Sequence, residues 1–247
     1  QRCGTWIRTK IASSRGTCTT VIRSRSAAHY ARNDSIIPQI SFNYKIDSIM
    51  GSPMQHLSRD QELCLKHILE WYRKDKLEMQ YVTLGGYAGT GKTTLIAILR
   101  KELHKLDKNV KVGFASYTGK AARVLQNKLT EEKAVLKNDT VGTIHSLIYT
   151  PIINAQEEII GWKTKEAIEC DLIIIDEASM VDGMIWEHLL SYHKPIIVVG
   201  DHGQLPPIRG NFNLMQKPDV TLVEIHRQAK LNPIIAISIA ARERGEI

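Results

Sequence analysis

The sequence predicts an α/β fold with a central parallel sheet, helices on its faces and a small β-hairpin insert. From Leu57 onward, short apolar runs alternate with helical patterns, the signature of βαβ units. Two of the runs, residues 172–175 and 196–199, are apolar without interruption, as strands covered on both faces are. Three runs end in glycines or carboxylates, which puts polar chemistry at the carboxyl ends of strands, where open α/β sheets bind ligands.

In chain order, Ser58-Arg-Asp-Gln61 has the spacing of a capping box. It opens a helix whose apolar face is expected to hold Leu63, Cys64, Ile68 and Trp71. Residues 81–84 read as a short strand running into Gly85 and Gly86, and 92 to about 104 as a helix. A strand at 110–116 precedes a helix from 120 to about 129. The stretches 147–153 and 159–164 flank the polar residues 154–158 and are expected to pair as a hairpin inserted between core units. Strands at 172–175, 196–199 and 220–224 complete the sheet.

Residues 1–50 stand apart. They hold eight Lys/Arg against two Asp/Glu, six of the chain's seven net positive charges. Overall charge therefore says little about the folded part, and any groove for nucleic acid must be local. The stretch is rich in Ser, Thr and Arg, opens at Gln1 and reaches its first methionine at Met50. It reads as a non-core segment: disordered, or an Arg- and Ser-rich transit peptide, or a non-native extension before a start at Met50 or Met54. The fold is expected in 51–247. An apolar fraction of 43% supports one domain with a buried core, and no apolar run is long enough to cross a bilayer. Cys3, Cys18, Cys64 and Cys170 form no C-x-x-C pair and no zinc spacing. Cys64 and Cys170 read as buried free thiols of a reducing, intracellular compartment: cytoplasm or nucleoid, or nucleus or mitochondrion in a eukaryote.

Gly86-Tyr-Ala-Gly89-Thr-Gly91-Lys92-Thr93 matches G-x-x-x-x-G-K-[ST] in full, between a strand and a helix. Its glycines let backbone N–H groups curl around phosphates, and the helix start adds partial positive charge. The expected nucleotide loop is Gly86, Ala88, Gly89, Thr90, Gly91, Lys92, Thr93 and Thr94. Lys92 would reach the β- and γ-phosphates, and the Thr93 hydroxyl would ligate magnesium. ATP and magnesium are the cofactors this implies.

The run 172–175 ends in Asp176-Glu177. Asp176 suits a magnesium ligand, direct or through water, and Glu177 a general base orienting the attacking water. The run 196–199 ends in Gly200-Asp201-His-Gly-Gln204. Gln204 suits a contact to the γ-phosphate or the lytic water, because an amide both donates and accepts. An ordinary Asp/Gly turn stiffened by Pro206 and Pro207 fits equally well.

Together these blocks resemble the helicases of superfamily 1, in the 5′→3′ branch that contains RecD, Dda and the Pif-type helicases. The resemblance runs from about Leu57 to the C-terminus. Leu57-Ser-Arg-Asp-Gln61 resembles the Q motif, whose glutamine reads adenine, here Gln61. Tyr117-Thr118-Gly119-Lys120-Ala-Ala122 resembles motif Ia, and Thr143-Ile-His145-Ser146 its neighbour, both of which contact single-stranded DNA. Asp176-Glu-Ala-Ser179 resembles motif II and Gly200-Asp201…Gln204 motif III, which couples nucleotide state to DNA. Glu224-Ile-His-Arg227-Gln228 resembles motif IV, whose arginine, here Arg227, approaches the γ-phosphate. The resemblance implies a RecA-like motor domain with ATP, magnesium and single-stranded DNA as ligands, and replication or recombination proteins as partners. The hairpin lies where these helicases carry an insert used in strand separation.

Read from the residues, the DNA side leaves alternatives open. A Thr-Gly turn with Lys120 can hold a phosphate or simply start a helix. His145 can be structural, and Trp162 can stack on a base or pack. The family's second RecA-like domain, with motifs V and VI, has no match before Ile247. The chain is therefore expected to be an N-terminal fragment that binds ATP, magnesium and single-stranded DNA but unwinds weakly or not at all. Two other readings stand beside it: a nucleotide-gated DNA-binding subunit needing a partner, and a different, PhoH-like P-loop ATPase.

Overall fold

The computed structural model describes residues 57–204 and 212–224; the 1–50 segment and Arg227 lie outside them. The elements begin with α1 (Arg59–Glu70), which continues into one π-helical turn at Trp71–Asp75. That turn is wider than an α-helical one, with i→i+5 bonding. Then come β1 (Tyr81–Gly86), α2 (Lys92–Leu106), β2 (Val112–Ser116), α3 (Gly119–Glu131), β3 (Thr140–Thr143) and α4 (Ile144–Ile148). The rest are β4 (Tyr149–Ile153), β5 (Ile159–Thr164), β6 (Leu172–Asp176), α5 (Gly183–Ser191), β7 (Ile196–Gly200) and β8 (Val220–Leu222).

Among the described residues, six strands form one sheet in the order β3-β2-β6-β7-β1-β8, and every pair in it is parallel. The uninterrupted apolar runs explain its centre. Leu172, Ile174, Ile197 and Val199 face one core, packed with α1, α2 and α3. Ile173, Ile175, Ile196 and Val198 face a second core with α4 and α5. Side chains alternate across a strand, so only an unbroken apolar run can fill both layers. Each such side chain contributes about 1.5–3 kcal/mol of burial.

In α1 the buried residues are Gln61, Cys64, Leu65, Ile68 and Leu69, a helical stripe at three- and four-residue spacing. Leu63 was expected on that face, but it falls off the stripe and is 57% exposed. Cys64 and Cys170 are buried free thiols, as expected.

The hairpin forms, with β4 and β5 antiparallel. Its first strand starts at Tyr149 rather than 147, because Thr143 and Ser146 close a reciprocal capping box that winds Ile144–Ile148 into a short helix. β3 and α5 also lie outside the sequence expectation. β3 has four residues, one of them Gly142, and gains its place by pairing with β2. At the far end of the sheet from the nucleotide loop, Arg100 and Asp139 form a buried ion pair, Nε to Oδ2 2.8 Å and Nη2 to Oδ1 3.0 Å. Asp139 also accepts the N–H groups of Val112 and Leu136, so α2 and the approaches to β2 and β3 meet on one carboxylate.

Candidate functional site

β6, β7 and β1 are adjacent, and their carboxyl ends align: Ile175 sits beside Val198, and Gly85 beside Gly200. That edge gathers the glycine loop from β1, Asp176 and Glu177 from β6, and Asp201 to Gln204 from β7. Gly89 (φ 84°) and Gly91 (φ 80°) hold the left-handed conformation that turns the loop into α2, a conformation costly for residues with a Cβ. Lys92 Nζ lies inside the loop and donates to the carbonyls of Gly86 (2.8 Å) and Tyr87 (3.0 Å). The Thr90 hydroxyl donates to that same Tyr87 carbonyl at 2.9 Å. Ala88 and Gly89 are exposed at the loop crest, while Thr93 and Thr94 are half-buried on the first turn of α2.

Asp176 is buried, and the Thr93 hydroxyl hydrogen-bonds to it. Burial, and then the charge of Glu177, push its carboxyl up to about 6, against the opposing effects of the Glu177 N–H, Lys92 and Thr93. Two carboxylates with so little neutralisation suit a cation. One carboxylate plus one hydroxyl is the sparse protein donor set that magnesium takes when phosphate and water supply its other ligands. Glu177 sits at φ 57°, a strained position for a non-glycine residue that ends the strand abruptly.

The 201–204 turn docks on both neighbours. The Ser179 hydroxyl donates to Gln204 Oε1 at 2.6 Å. The His202 ring lies 4.4 Å from the Tyr87 ring, centroid to centroid. A Cβ on Gly203 would sit 2.8 Å from Tyr87 Cε1, so glycine permits this close packing. Sequence reasoning missed Ser179, Tyr87 and His202 as contact residues, since spacing along the chain carries no signal for these cross-loop pairs.

Gln61 is 1% exposed, and its amide is engaged on both sides: Oε1 accepts the Ser58 N–H (3.1 Å) and Nε2 donates to the Thr90 carbonyl (3.0 Å). The capping role thus holds, and the same side chain braces the phosphate loop.

The residues expected on the DNA side lie at the ends of β2 and β3, one and two strands beyond β6 along the same sheet edge. Thr118 caps α3 through its hydroxyl, which accepts the Ala121 N–H at 3.2 Å, with Gly119 and Lys120 exposed beside it. Thr143 caps α4. His145 is half-buried in an aromatic cluster, its centroid 6.4 Å from Tyr117, 5.3 Å from Tyr149 and 5.9 Å from Trp162. The cluster joins the segment after β2 to the hairpin.

A parallel sheet with a glycine loop on its central edge and a Thr-Asp pair beside it defines a P-loop NTPase domain. Residues 56–246 match the family described as AAA domain, and the chain belongs to it. It is 30% identical over 177 residues to the RecBCD enzyme subunit RecD of Buchnera aphidicola subsp. Schizaphis graminum, a match covering 62% of this chain and 29% of that protein. It is 31% identical over 144 residues to the ATP-dependent DNA helicase dda of Enterobacteria phage T4, covering 56% of this chain and 30% of that one. A Pif1 helicase from Bacteroides, solved with ADP-AlF3 and ssDNA, aligns at 20% identity and TM-score 0.48 over 74% of this chain and 46% of its own. The matches to RecD and dda agree with the resemblance carried by the motifs. The chain spans less than a third of the length of the curated relatives it matches.

Proposed function

We propose that this chain is the nucleotide-binding motor domain of an ATP-dependent DNA helicase of the 5′→3′ superfamily 1 type. The observation that carries the proposal is the convergence of Lys92, Thr93, Asp176 and Gln204 on three adjacent strand ends. Backbone N–H groups of the Gly86–Thr94 stretch hold the phosphates, and Lys92 exchanges its carbonyl partners for the β- and γ-phosphates. Thr93 and Asp176 hold magnesium, which when bound neutralises phosphate charge. Glu177 orients and deprotonates the attacking water, and Gln204 reports the γ-phosphate to the DNA side. The motif IV resemblance would give Arg227, which lies outside the described residues, an approach to the γ-phosphate. Single-stranded DNA lies across Thr118, Gly119, Lys120, Thr143 and His145, where two helix starts offer N–H groups to phosphates.

The test is ATP hydrolysis by a protein carrying this domain, with and without single-stranded DNA. Stimulation by DNA is expected, and equal rates would sink the proposal. The similarity to a subunit of the RecBCD enzyme favours a second reading, a nucleotide-gated DNA-binding subunit whose activity needs a partner. Restoration of turnover by an added partner protein, and not by DNA alone, would select it.

A further inference from the structure

An acidic residue in the first turn of a helix ordinarily does no more than complement the helix dipole, for about 0.3–1 kcal/mol. Asp60 does more. Its Oδ1 accepts the Gln61 N–H at 2.8 Å and the Ser58 hydroxyl. Its Oδ2 accepts two further N–H groups, from Val223 and Glu224, both at 2.8 Å. Those residues lie more than 160 positions away, just past β8, where the chain begins Glu224-Ile-His-Arg227. Burial alone would raise the Asp60 carboxyl, but the hydrogen bonds from Ser58 and from the Glu224, Val223 and Gln61 backbone hold it below the usual range.

From this carboxylate a line of bonds enters the phosphate loop. Gln61, beside Asp60, donates to the Thr90 carbonyl. The Thr90 hydroxyl donates to the Tyr87 carbonyl, which also accepts Lys92 Nζ. We infer that Asp60 is a positioning residue for the nucleotide site: it locks the start of α1 to the end of β8 and, through Gln61, sets the loop that holds Lys92. The inference rests on the nucleotide reading of that loop and adds a mechanical link from it to the segment leading to Arg227.

The 247-residue chain, titrated calorimetrically with ADP and magnesium, provides the test. Asp60→Ala and Gln61→Ala are each expected to weaken ADP binding about fivefold, since part of a charge-assisted bond's worth is transmitted to the loop. The double variant is expected to bind no more weakly than the weaker single one, because both cut the same line. Asp60→Asn should fall in between: its oxygen still serves Val223 and Glu224, while its amide N–H2 opposes the Gln61 N–H. It carries the cycle if Asp60→Ala does not fold. A lowered unfolding temperature with unchanged ADP affinity, or losses that sum in the double variant, would reduce Asp60 to a structural cap and overturn the inference. No ADP binding by the unmodified chain would overturn the nucleotide reading and this inference with it. Binding by that chain with Asp60→Ala unchanged would overturn this inference alone.

Discussion

The Ser179 hydroxyl fixes the amide of Gln204, donating to Oε1 across 2.6 Å between two loops that follow neighbouring strands. Gln204 is otherwise exposed, and a free glutamine loses up to about 2 kcal/mol of rotamer entropy when it is ordered. With Oε1 occupied, the Nε2 donor is the end left for a phosphate oxygen. Ser179→Ala is expected to lower ATP turnover about tenfold while nucleotide affinity changes less than twofold, because the ordering cost then falls on the reacting complex. Steady-state turnover paired with an equilibrium nucleotide titration separates the two quantities. Equal losses in both would assign Ser179 to binding rather than to the orientation of Gln204.

Lys92 bonds the Gly86 and Tyr87 carbonyls, which puts its ammonium at the centre of the loop. Lys92→Ala removes the only side-chain cation of the loop. Nucleotide affinity is expected to fall tenfold or more, about 1.5–3 kcal/mol for a lost charge-assisted bond, and turnover to fall below detection. Retained turnover in this variant would contradict the placement of the phosphates.

Asp176 bears on stability as well as on chemistry. Its carboxyl is raised from 3.8 to about 6 by burial and by Glu177. Between those values the folded state binds a proton that the unfolded chain has released, so stability falls as pH rises through that window. The full cost, about 2–3 kcal/mol, is present above it. Asp176→Asn keeps an acceptor for the Thr93 hydroxyl and removes the charge. Without nucleotide, the variant is expected to unfold several degrees higher than the parent at pH 7.5, with the gain shrinking as pH approaches 4. Magnesium should no longer tighten its nucleotide binding. Differential scanning calorimetry across that pH range checks the sign, and a variant no more stable than the parent at pH 7.5 would refute it.

The parts of this site that were legible in the sequence are those whose chemistry needs neighbours along the chain. Phosphate cradling forces Gly86, Gly89, Gly91 and Lys92 into one short loop, and a strand covered on both faces forces the unbroken run that ends at Asp176. What the sequence hid depends on residues far apart in it. Thr140–Thr143 has too few residues and too little apolar character to declare itself as a strand, and its register against β2 comes from the sheet. Ser179 with Gln204, and Asp60 with Val223 and Glu224, are pairs whose members have no fixed spacing. Leu63 misled because an apolar residue in a helix's first turns fits several faces until the packing partner is known.

Trp162 gives the sharpest test of the DNA side. It stands half exposed on β5 opposite Pro151, its ring steeply inclined to that of His145, which also meets Tyr117 and Tyr149. Its neighbours orient a ring that is 50% exposed, and an exposed aromatic ring can stack an unpaired base at about 1–3 kcal/mol. Trp162→Ala is therefore expected to weaken binding of a short oligothymidine about tenfold or more, with ADP affinity unchanged, and Trp162→Phe to restore most of the loss. The salt dependence distinguishes stacking from charge. In fluorescence anisotropy between 50 and 200 mM salt, Trp162→Ala should shift log K without altering its slope, whereas Lys120→Ala should lower the slope by about 0.7, one released counterion on a single strand. A Trp162→Ala chain that unfolds earlier yet binds the oligonucleotide as tightly as the parent would leave Trp162 a packing residue and move the DNA path away from the hairpin.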